Sequence, residues 1–186
     1  GSLPGVSRTR AGYAGGQSPA PTYRVMGDHT EALQVDFDPE RLSYEELLEL
    51  IWAEHDPTEL PRGTQYRALI LTESPAQARA AELSKARQAE RLGRPVLTPI
   101  EALGTFTRAE DYHQKYRLRQ WKSLTSELLG QTGSERAFVD STLAARLNGC
   151  LAGYGVGEGL AGELSALGLA SASLEAVLGR VGARTR

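Results

Sequence analysis

The hydrophobic pattern of this chain changes its period within a few residues, and this change constrains the fold more than any other feature. At 31–38 apolar and polar residues alternate, as in a strand with one buried face. At 44–55 the apolar residues recur at helical spacing, directly after Ser43 and Glu46, which have the spacing of a capping box. A strand followed by an amphipathic helix predicts a sheet that is covered by helices.

The rest of the sequence continues this alternation of strands and helices. Further strands are predicted at 6–13, 65–72 and 96–103, and a long loop rich in Gly and Pro is predicted at 14–28. A helix is predicted from Pro75 to about residue 92, because Ser74 can cap its start and Gly93 follows its end. Helical stretches follow at 118–129, 135–147 and 160–181. The predicted fold class is α/β or two-layer α+β.

Composition excludes several classes of protein. The formal net charge is -2 and basic residues are scattered among acids, which argues against a nucleic-acid-binding surface. No apolar run reaches the roughly 20 residues that a membrane helix needs, so we expect a cytoplasmic protein. His29, His55 and His113 lack the close spacing of zinc ligands, and the single Cys150 can form no internal disulfide. We therefore predict neither a metal ion nor a cofactor.

Glu31 is the strongest candidate for acid chemistry. Counting by twos from Leu33 places its side chain on the apolar face of the predicted strand, where the preceding loop reaches the sheet. A partly desolvated carboxyl group favours its neutral form, which can donate a proton near neutral pH. The alternative is that the strand begins one residue later and Glu31 is a solvated edge residue.

Two tyrosines can supply hydroxyl donors next to such an acid. Tyr23 follows a proline in the predicted loop, and Tyr66 lies on a predicted strand, on the same face as Ile70. A phenol with a buried ring and an accessible hydroxyl can donate to a polar oxygen, and two of them with a protonated acid would resemble an oxyanion hole. The alternative for each tyrosine is packing in the core with an incidental hydrogen bond.

Several short blocks occur together in this chain: GYAGG at 12–16, PTYR at 21–24, HTE at 29–31, GTQYR at 63–67 and AEDYHQ at 109–114. In this combination the chain resembles the methionine sulfoxide reductase A family. The resemblance covers about residues 3–116 and implies a two-layer α+β plait with a mixed sheet covered by helices. It divides the chain into a reductase-like domain at 1–116, incomplete at its N-terminus, and a helical C-terminal extension at 117–186.

The resemblance implies an activity and a site. Enzymes of this family reduce the S epimer of methionine sulfoxide, free or in proteins, through a cysteine thiolate that becomes a sulfenic acid, and thereby repair oxidised proteins. By resemblance Glu31 protonates the sulfoxide oxygen, and Tyr23 and Tyr66 hold that oxygen. The loop around the site is formed by Gly15, Gly16 and His29. The implied partners are oxidised proteins and a thioredoxin-like reductant, and the implied oligomeric state is a monomer.

Two features of the family are missing from this sequence. The reactive cysteine of the family lies in a Gly-Cys-Phe-Trp box ahead of the glycine-rich block, and these 186 residues do not contain it. Leu60-Pro61-Arg62 replaces an Asn-Asp-His segment whose aspartate helps to order the site. We therefore expect the chain to be a fragment whose nucleophile lies upstream, and to be inactive as it stands.

Other interpretations remain open at this stage. The chain can instead be a catalytically inactive module that binds oxidised methionine or a protein partner. Cys150 lies in a glycine-rich segment, where many relatives carry a cysteine that resolves the sulfenic acid. It can therefore be a resolving cysteine, or less readily the nucleophile itself. The simpler interpretation is a small apolar residue packed beside a helix end, because free cysteine is commonly buried.

Overall fold

Short strands form two small sheets in this protein. The structure is a computed structural model that describes residues 1–60 and 63–182. The strands are β1 (Val6–Ala14), β2 (Thr30–Phe37), β3 (Ile70–Thr72), β4 (Ile100–Ala102) and β5 (Thr107–Arg108). One sheet has the order β2-β1-β5, with β1 and β5 antiparallel, and the other pairs β3 with β4 in parallel. Parallel and antiparallel pairs thus both occur.

Helices account for about half of the described residues outside the strands. They are α1 (Tyr44–Ala53), α2 (Pro75–Leu92), α3 (Tyr116–Arg119), α4 (Lys122–Thr132), α5 (Glu135–Val139), α6 (Thr142–Ala152), α7 (Leu160–Ala166) and α8 (Ser171–Gly182). The mixed α/β class with small sheets and covering helices is confirmed. Among the described helices, none combines the length and the apolar character that crossing a membrane requires.

Local signals set the start of α1 and both ends of α2 where the sequence predicts them, while α1 ends at Ala53, two residues before the predicted end. The Ser43 hydroxyl accepts from the Glu46 amide while the Glu46 carboxylate accepts from the Ser43 amide, so the capping box is formed. The Ser74 hydroxyl accepts from the backbone N–H of Gln77 at the start of α2. At its end Gly93 has a φ of 61°, a left-handed conformation that glycine adopts without a steric penalty.

Contacts divide the chain into two units, each with its own core. One unit contains Gly1–Arg10, Leu33–Asp38 and the residues from Glu110 onward, and its core is made by helices α3 to α8. The other contains Ala11–Ala32 and Pro39–Ala109. Its main core joins α1, α2 and β3 through Leu48, Trp52, Ile70, Ala81 and Val96. The boundary between the units falls inside β1 and β2. The division into a reductase-like domain at 1–116 and a C-terminal extension at 117–186 stays a prediction.

Two predicted strands are too long. The segments 65–72 and 96–103 form strands only at Ile70–Thr72 and Ile100–Ala102, and the two-residue strand β5 is not anticipated. Pro99 has no N–H and serves only as an acceptor, for the Ile70 amide, so it cannot extend the ladder as a donor. Earlier in the segment, the Gln65 carbonyl accepts from the Glu31 amide at 2.9 Å.

The predicted C-terminal helices are interrupted in the structure. The stretch at 135–147 divides at Asp140, where Ser141 caps the start of α6, and the stretch at 160–181 divides at Gly168, which has a φ of 90°. Residues 183–186 of the predicted extension lie outside the described residues.

Candidate active site

The loop between β1 and β2 is held closed by Asp28. Its carboxylate accepts hydrogen bonds from the backbone N–H groups of Ser18 at 2.9 Å and Gln17 at 2.8 Å. These bonds hold the pKa of the Asp28 carboxyl well below its usual range. Gly16 packs directly against Asp28 and His29, since a Cβ at Gly16 would be 2.6 Å from Asp28 Oδ1 and 2.7 Å from the backbone nitrogen of His29. The loop therefore closes around a position where only glycine fits.

His29 anchors the same loop from the inside. Its imidazole is buried, and Nε2 lies 2.8 Å from the Ser18 carbonyl oxygen, to which it donates. Nδ1 has no hydrogen-bond partner among the described residues. His29 is thus bound into the loop that carries Tyr23.

Arg67 supports the turn at Gly15, a contact that sequence reasoning did not assign. Arg67 Nη2 donates to the Gly15 carbonyl at 3.0 Å, and Nη1 lies 3.5 Å from Glu101 Oε1. Gly15 has a φ of +76°, and a Cβ there would be 2.9 Å from Arg67 Nη2. Arg67 belongs to the GTQYR block, so the motif singles out this residue, but the sequence does not indicate that the Arg67 guanidinium binds the Gly15 carbonyl.

The structure brings Glu31, Tyr66 and Tyr23 together. Gln65 Nε2 donates to Glu31 Oε1 at 3.0 Å and to the Tyr66 hydroxyl oxygen at 2.9 Å. The pKa of the Tyr66 phenol is raised, chiefly by its hydrogen bond with Tyr23, then by partial loss of solvent and by the negative charge of Glu31. A carboxylate, an amide and two phenols therefore form one connected polar cluster.

This cluster is open to solvent, and the expectation of a desolvated carboxyl at Glu31 is wrong. Glu31 is exposed, and Leu33, the next residue on the same strand face, is 66% exposed. Tyr66 is 68% exposed and Tyr23 is 42% exposed, so the expectation of buried phenol rings also fails. Alternation in a sequence indicates which residues share a face but not whether another element covers that face. Here the first residues of β2 present that face to solvent.

Cys150 belongs to the other unit and is buried in its helical core. It lies in α6, with no exposed surface, and Arg146 Nη1 donates to its sulfur at 3.2 Å. Arg146 Nη2 also lies 2.8 Å from the Glu163 carboxylate and donates to the Gly155 carbonyl at 2.9 Å. Burial raises the pKa of the Cys150 thiol, and the positive charge of Arg146 opposes this effect only in part. This is the environment of a packed cysteine rather than a reactive one.

Tyr112 and His113, which belong to the AEDYHQ block, contact each other. The rings of Tyr112 and His113 lie 4.2 Å apart, and the Tyr112 ring is exposed. Within the described parts of the chain, no three His, Cys, Asp or Glu side chains are grouped so that they could hold a metal ion. Pro61 and Arg62, which replace part of the Asn-Asp-His segment, lie outside the described residues.

Sequence comparison places these elements among known reductases. The sequence model of the family described as peptide methionine sulfoxide reductase matches residues 1–142. Peptide methionine sulfoxide reductase A5 of Oryza sativa subsp. japonica is 44% identical over 154 residues, covering 80% of this chain and 60% of the relative. Peptide methionine sulfoxide reductase of Drosophila melanogaster is 43% identical over 171 residues, covering 91% of this chain and 68% of the relative. The chain thus spans about three fifths to two thirds of the length of these relatives.

Solved structures show the same likeness. Methionine sulfoxide reductase A of Corynebacterium diphtheriae is 35% identical with a TM-score of 0.54, over 62% of this chain and 64% of that one. Mxr1 of Saccharomyces cerevisiae in its reduced form is 31% identical with a TM-score of 0.54, over 58% of this chain and 68% of that one. Since the family match spans far more than half of the residues, this chain belongs to the peptide methionine sulfoxide reductase family.

Proposed function

We propose that this chain supplies the acid and the oxygen-binding groups of a peptide-methionine (S)-S-oxide reductase. The observation that carries the proposal is the hydrogen-bonded cluster of Glu31, Tyr66 and Tyr23, which Gln65 joins through bonds of 3.0 and 2.9 Å. The cluster is open to solvent, so a methionine sulfoxide in a protein or peptide can reach it. The substrate class is methionine S-sulfoxide, free or in oxidised proteins.

The chemistry divides between the sulfur and the oxygen of the substrate. A cysteine thiolate attacks the sulfoxide sulfur while Glu31, which takes up a proton from the surrounding solvent, transfers that proton to the sulfoxide oxygen. Tyr23 and Tyr66 donate hydrogen bonds to the same oxygen. The oxygen passes to the cysteine, which becomes a sulfenic acid, and methionine leaves, so the methionine sulfur gains the two electrons that the cysteine sulfur loses. A dithiol reductant of the thioredoxin class then returns the sulfenic acid to thiol and releases water.

The attacking thiol is not Cys150 in this proposal. Cys150 is the single cysteine of these 186 residues, and it is buried with a raised pKa, so its thiolate is scarce and out of reach of a peptide. We therefore expect no turnover of methionine S-sulfoxide by the 186-residue chain with dithiothreitol. The thioredoxin-like reductant, the monomeric state and the cytoplasmic location remain predictions.

Binding tests the proposal without requiring turnover. The chain is labelled with ¹³C at tyrosine Cζ, the ring carbon that carries the hydroxyl group. It is titrated with a short peptide that contains methionine S-sulfoxide, and the tyrosine signals are followed by NMR. The expected result is a shift of the Tyr23 and Tyr66 signals with the S-sulfoxide peptide, and a much smaller one with the R epimer or with unoxidised methionine. Replacing both tyrosines with Phe removes two hydroxyl donors, and we expect binding to weaken at least about tenfold.

A matched control uses Tyr154→Phe, which removes an exposed phenol from the other unit and leaves the site intact. Sulfoxide binding should be unchanged in that variant. Equal binding of the sulfoxide and methionine peptides by the unmodified chain would contradict the proposed function.

The burial of the only cysteine favours a second candidate, a module that binds oxidised methionine or a protein partner without reducing it. A reductase and a module for oxidised methionine both bind the sulfoxide, so turnover distinguishes these two, whereas a module for a protein partner shows neither sulfoxide binding nor turnover. The product of the complete open reading frame is assayed with dithiothreitol and methionine S-sulfoxide. Turnover that depends on Glu31 supports the reductase, whereas sulfoxide binding with no turnover supports the binding module.

A further inference from the structure

The side chain of Gln65 lies between the proposed acid and one of the proposed phenol donors. Its amide nitrogen Nε2 is 3.0 Å from Glu31 Oε1 and 2.9 Å from the Tyr66 hydroxyl oxygen. A primary amide carries two hydrogens at a fixed angle, so these two bonds use both donors of Gln65. The two acceptors are consequently held at a set separation.

The backbone of Gln65 is anchored to the same strand independently of its side chain. Its carbonyl oxygen accepts from the Glu31 amide at 2.9 Å and from the Thr30 hydroxyl at 2.9 Å. Thr30 is buried, so this anchor is protected from competing water. A substitution of the Gln65 side chain therefore leaves the main-chain register intact, and its effect on the site can be measured separately.

The bond from Gln65 decides which way the Tyr66 hydroxyl acts. An amide hydrogen occupies an acceptor position of the Tyr66 oxygen, so the phenolic hydrogen points away from Gln65. Tyr66 is also hydrogen-bonded with Tyr23 and with Glu31, and both bonds raise the pKa of the Tyr66 phenol, as expected when its own hydrogen is the one donated. Gln65 donates to the Tyr66 oxygen while the Tyr66 hydroxyl donates onward, and consecutive hydrogen bonds in one direction make the last donor, here the Tyr66 hydroxyl, a stronger one.

We propose that Gln65 is a positioning residue that orients the Tyr66 hydroxyl as a donor and keeps the Glu31 carboxyl beside it, ready for a sulfoxide oxygen. This inference rests on the proposed function, because the oxygen that Tyr66 receives is that of methionine S-sulfoxide. Gln65 does not touch the reacting atoms in this assignment. It acts through the two groups that do.

The test compares Gln65→Leu and Gln65→Glu with the unmodified chain. The ionisation of Tyr66 is followed by NMR of ¹³C-labelled tyrosine, with the signal assigned through Tyr66→Phe. Loss of an N–H donor disfavours the phenolate, so the Tyr66 titration should move to higher pH in Gln65→Leu, and further in Gln65→Glu, where a carboxylate adds negative charge. Binding of the methionine S-sulfoxide peptide should weaken about fivefold in Gln65→Leu.

Gln131→Leu is the matched control, because Gln131 Nε2 also donates to a glutamate, Glu127 Oε1, at 3.3 Å in the other unit. Neither the titration of Tyr66 nor peptide binding should change in this variant. Hydrogen exchange of the Glu31 amide, which reports the bond to the Gln65 carbonyl, should stay protected in all variants. If Gln65→Leu loses this protection, the nearly isosteric Gln65→Glu decides the outcome.

An unchanged Tyr66 titration in both Gln65 variants, with the Glu31 amide still protected, would overturn the positioning role. This readout needs no ligand, so it is separate from the test of the proposed function. If Tyr66 responds to Gln65 but the unmodified chain binds no sulfoxide peptide, the reductase proposal fails and the orientation of Tyr66 by Gln65 stands.

Discussion

Replacing Gly16 with Ala would test whether the closed loop between β1 and β2 positions the candidate site. The added Cβ would be 2.6 Å from Asp28 Oδ1, 2.7 Å from the backbone nitrogen of His29 and 2.8 Å from the carbonyl carbon of Asp28. Two of these three atoms belong to the backbone and cannot rotate away. The Asp28 and His29 segment therefore has to move, together with the hydrogen bonds from Gln17 and Ser18.

The size of the effect follows from these distances. Ordinary contact begins at 3.4 Å, so the two sides of the loop must separate by about 0.6 to 0.8 Å. Overpacking of this kind typically costs about 1 to 3 kcal/mol in the free energy of unfolding. For a chain of this size, each kcal/mol lowers the melting temperature by roughly 2 to 4 °C. Because Tyr23 and Glu31 flank the displaced segment, sulfoxide binding should also weaken.

Gly104→Ala is the matched control for this prediction. Gly104 is exposed, a Cβ there would meet no atom within 4 Å, and its φ lies outside the left-handed region. Its substitution should change stability by less than about 0.5 kcal/mol. Both variants are unfolded with urea, and the amide signals of Gln17 and Ser18 are compared by NMR. Equal stability of the two variants, with unchanged Gln17 and Ser18 signals, would refute the reasoning.

Two further predictions concern the cores of the units. Trp52 Nε1 donates to Ser84 Oγ at 2.8 Å between buried side chains, so Ser84→Ala should lower the free energy of unfolding by about 1 to 3 kcal/mol. Urea unfolding measures this loss. An equally large loss from Ser84→Ala in a Trp52→Phe background would show that the hydrogen bond is not its cause. Burial raises the pKa of the Cys150 thiol above its ordinary value, so the folded state favours the neutral thiol. The contribution of the Cys150 thiol to the free energy of unfolding is complete below about pH 9, the pKa of an ordinary thiol, and is lost as the pH rises through the pKa of the folded state. The unfolding free energy should therefore fall more steeply above pH 9 in the unmodified chain than in Cys150→Ala, and parallel curves would contradict this assignment.

The sequence by itself predicts features that depend on neighbouring residues. The capping box of Ser43 and Glu46 and the glycine end of α2 at Gly93 are correct because each involves groups within one helical turn. The alternation at 31–38 correctly predicts β2, because a strand pattern also depends only on residues that are neighbours along the chain. The motif blocks also indicate the family, which the match over residues 1–142 shows.

Tertiary structure alone decides which surfaces are covered and which distant groups meet. Exposure of Glu31 and Leu33 could not be read from alternation, because a strand pattern does not state whether a second layer lies over its apolar face. The bridge from Gln65 to Glu31 joins residues 34 positions apart, and Arg67 reaches the Gly15 carbonyl across 52 positions. These contacts depend on how a loop folds back against a strand, whereas the sequence pattern records only local periodicity. Local preference therefore determined the elements, and long-range packing determined the arrangement of the candidate site.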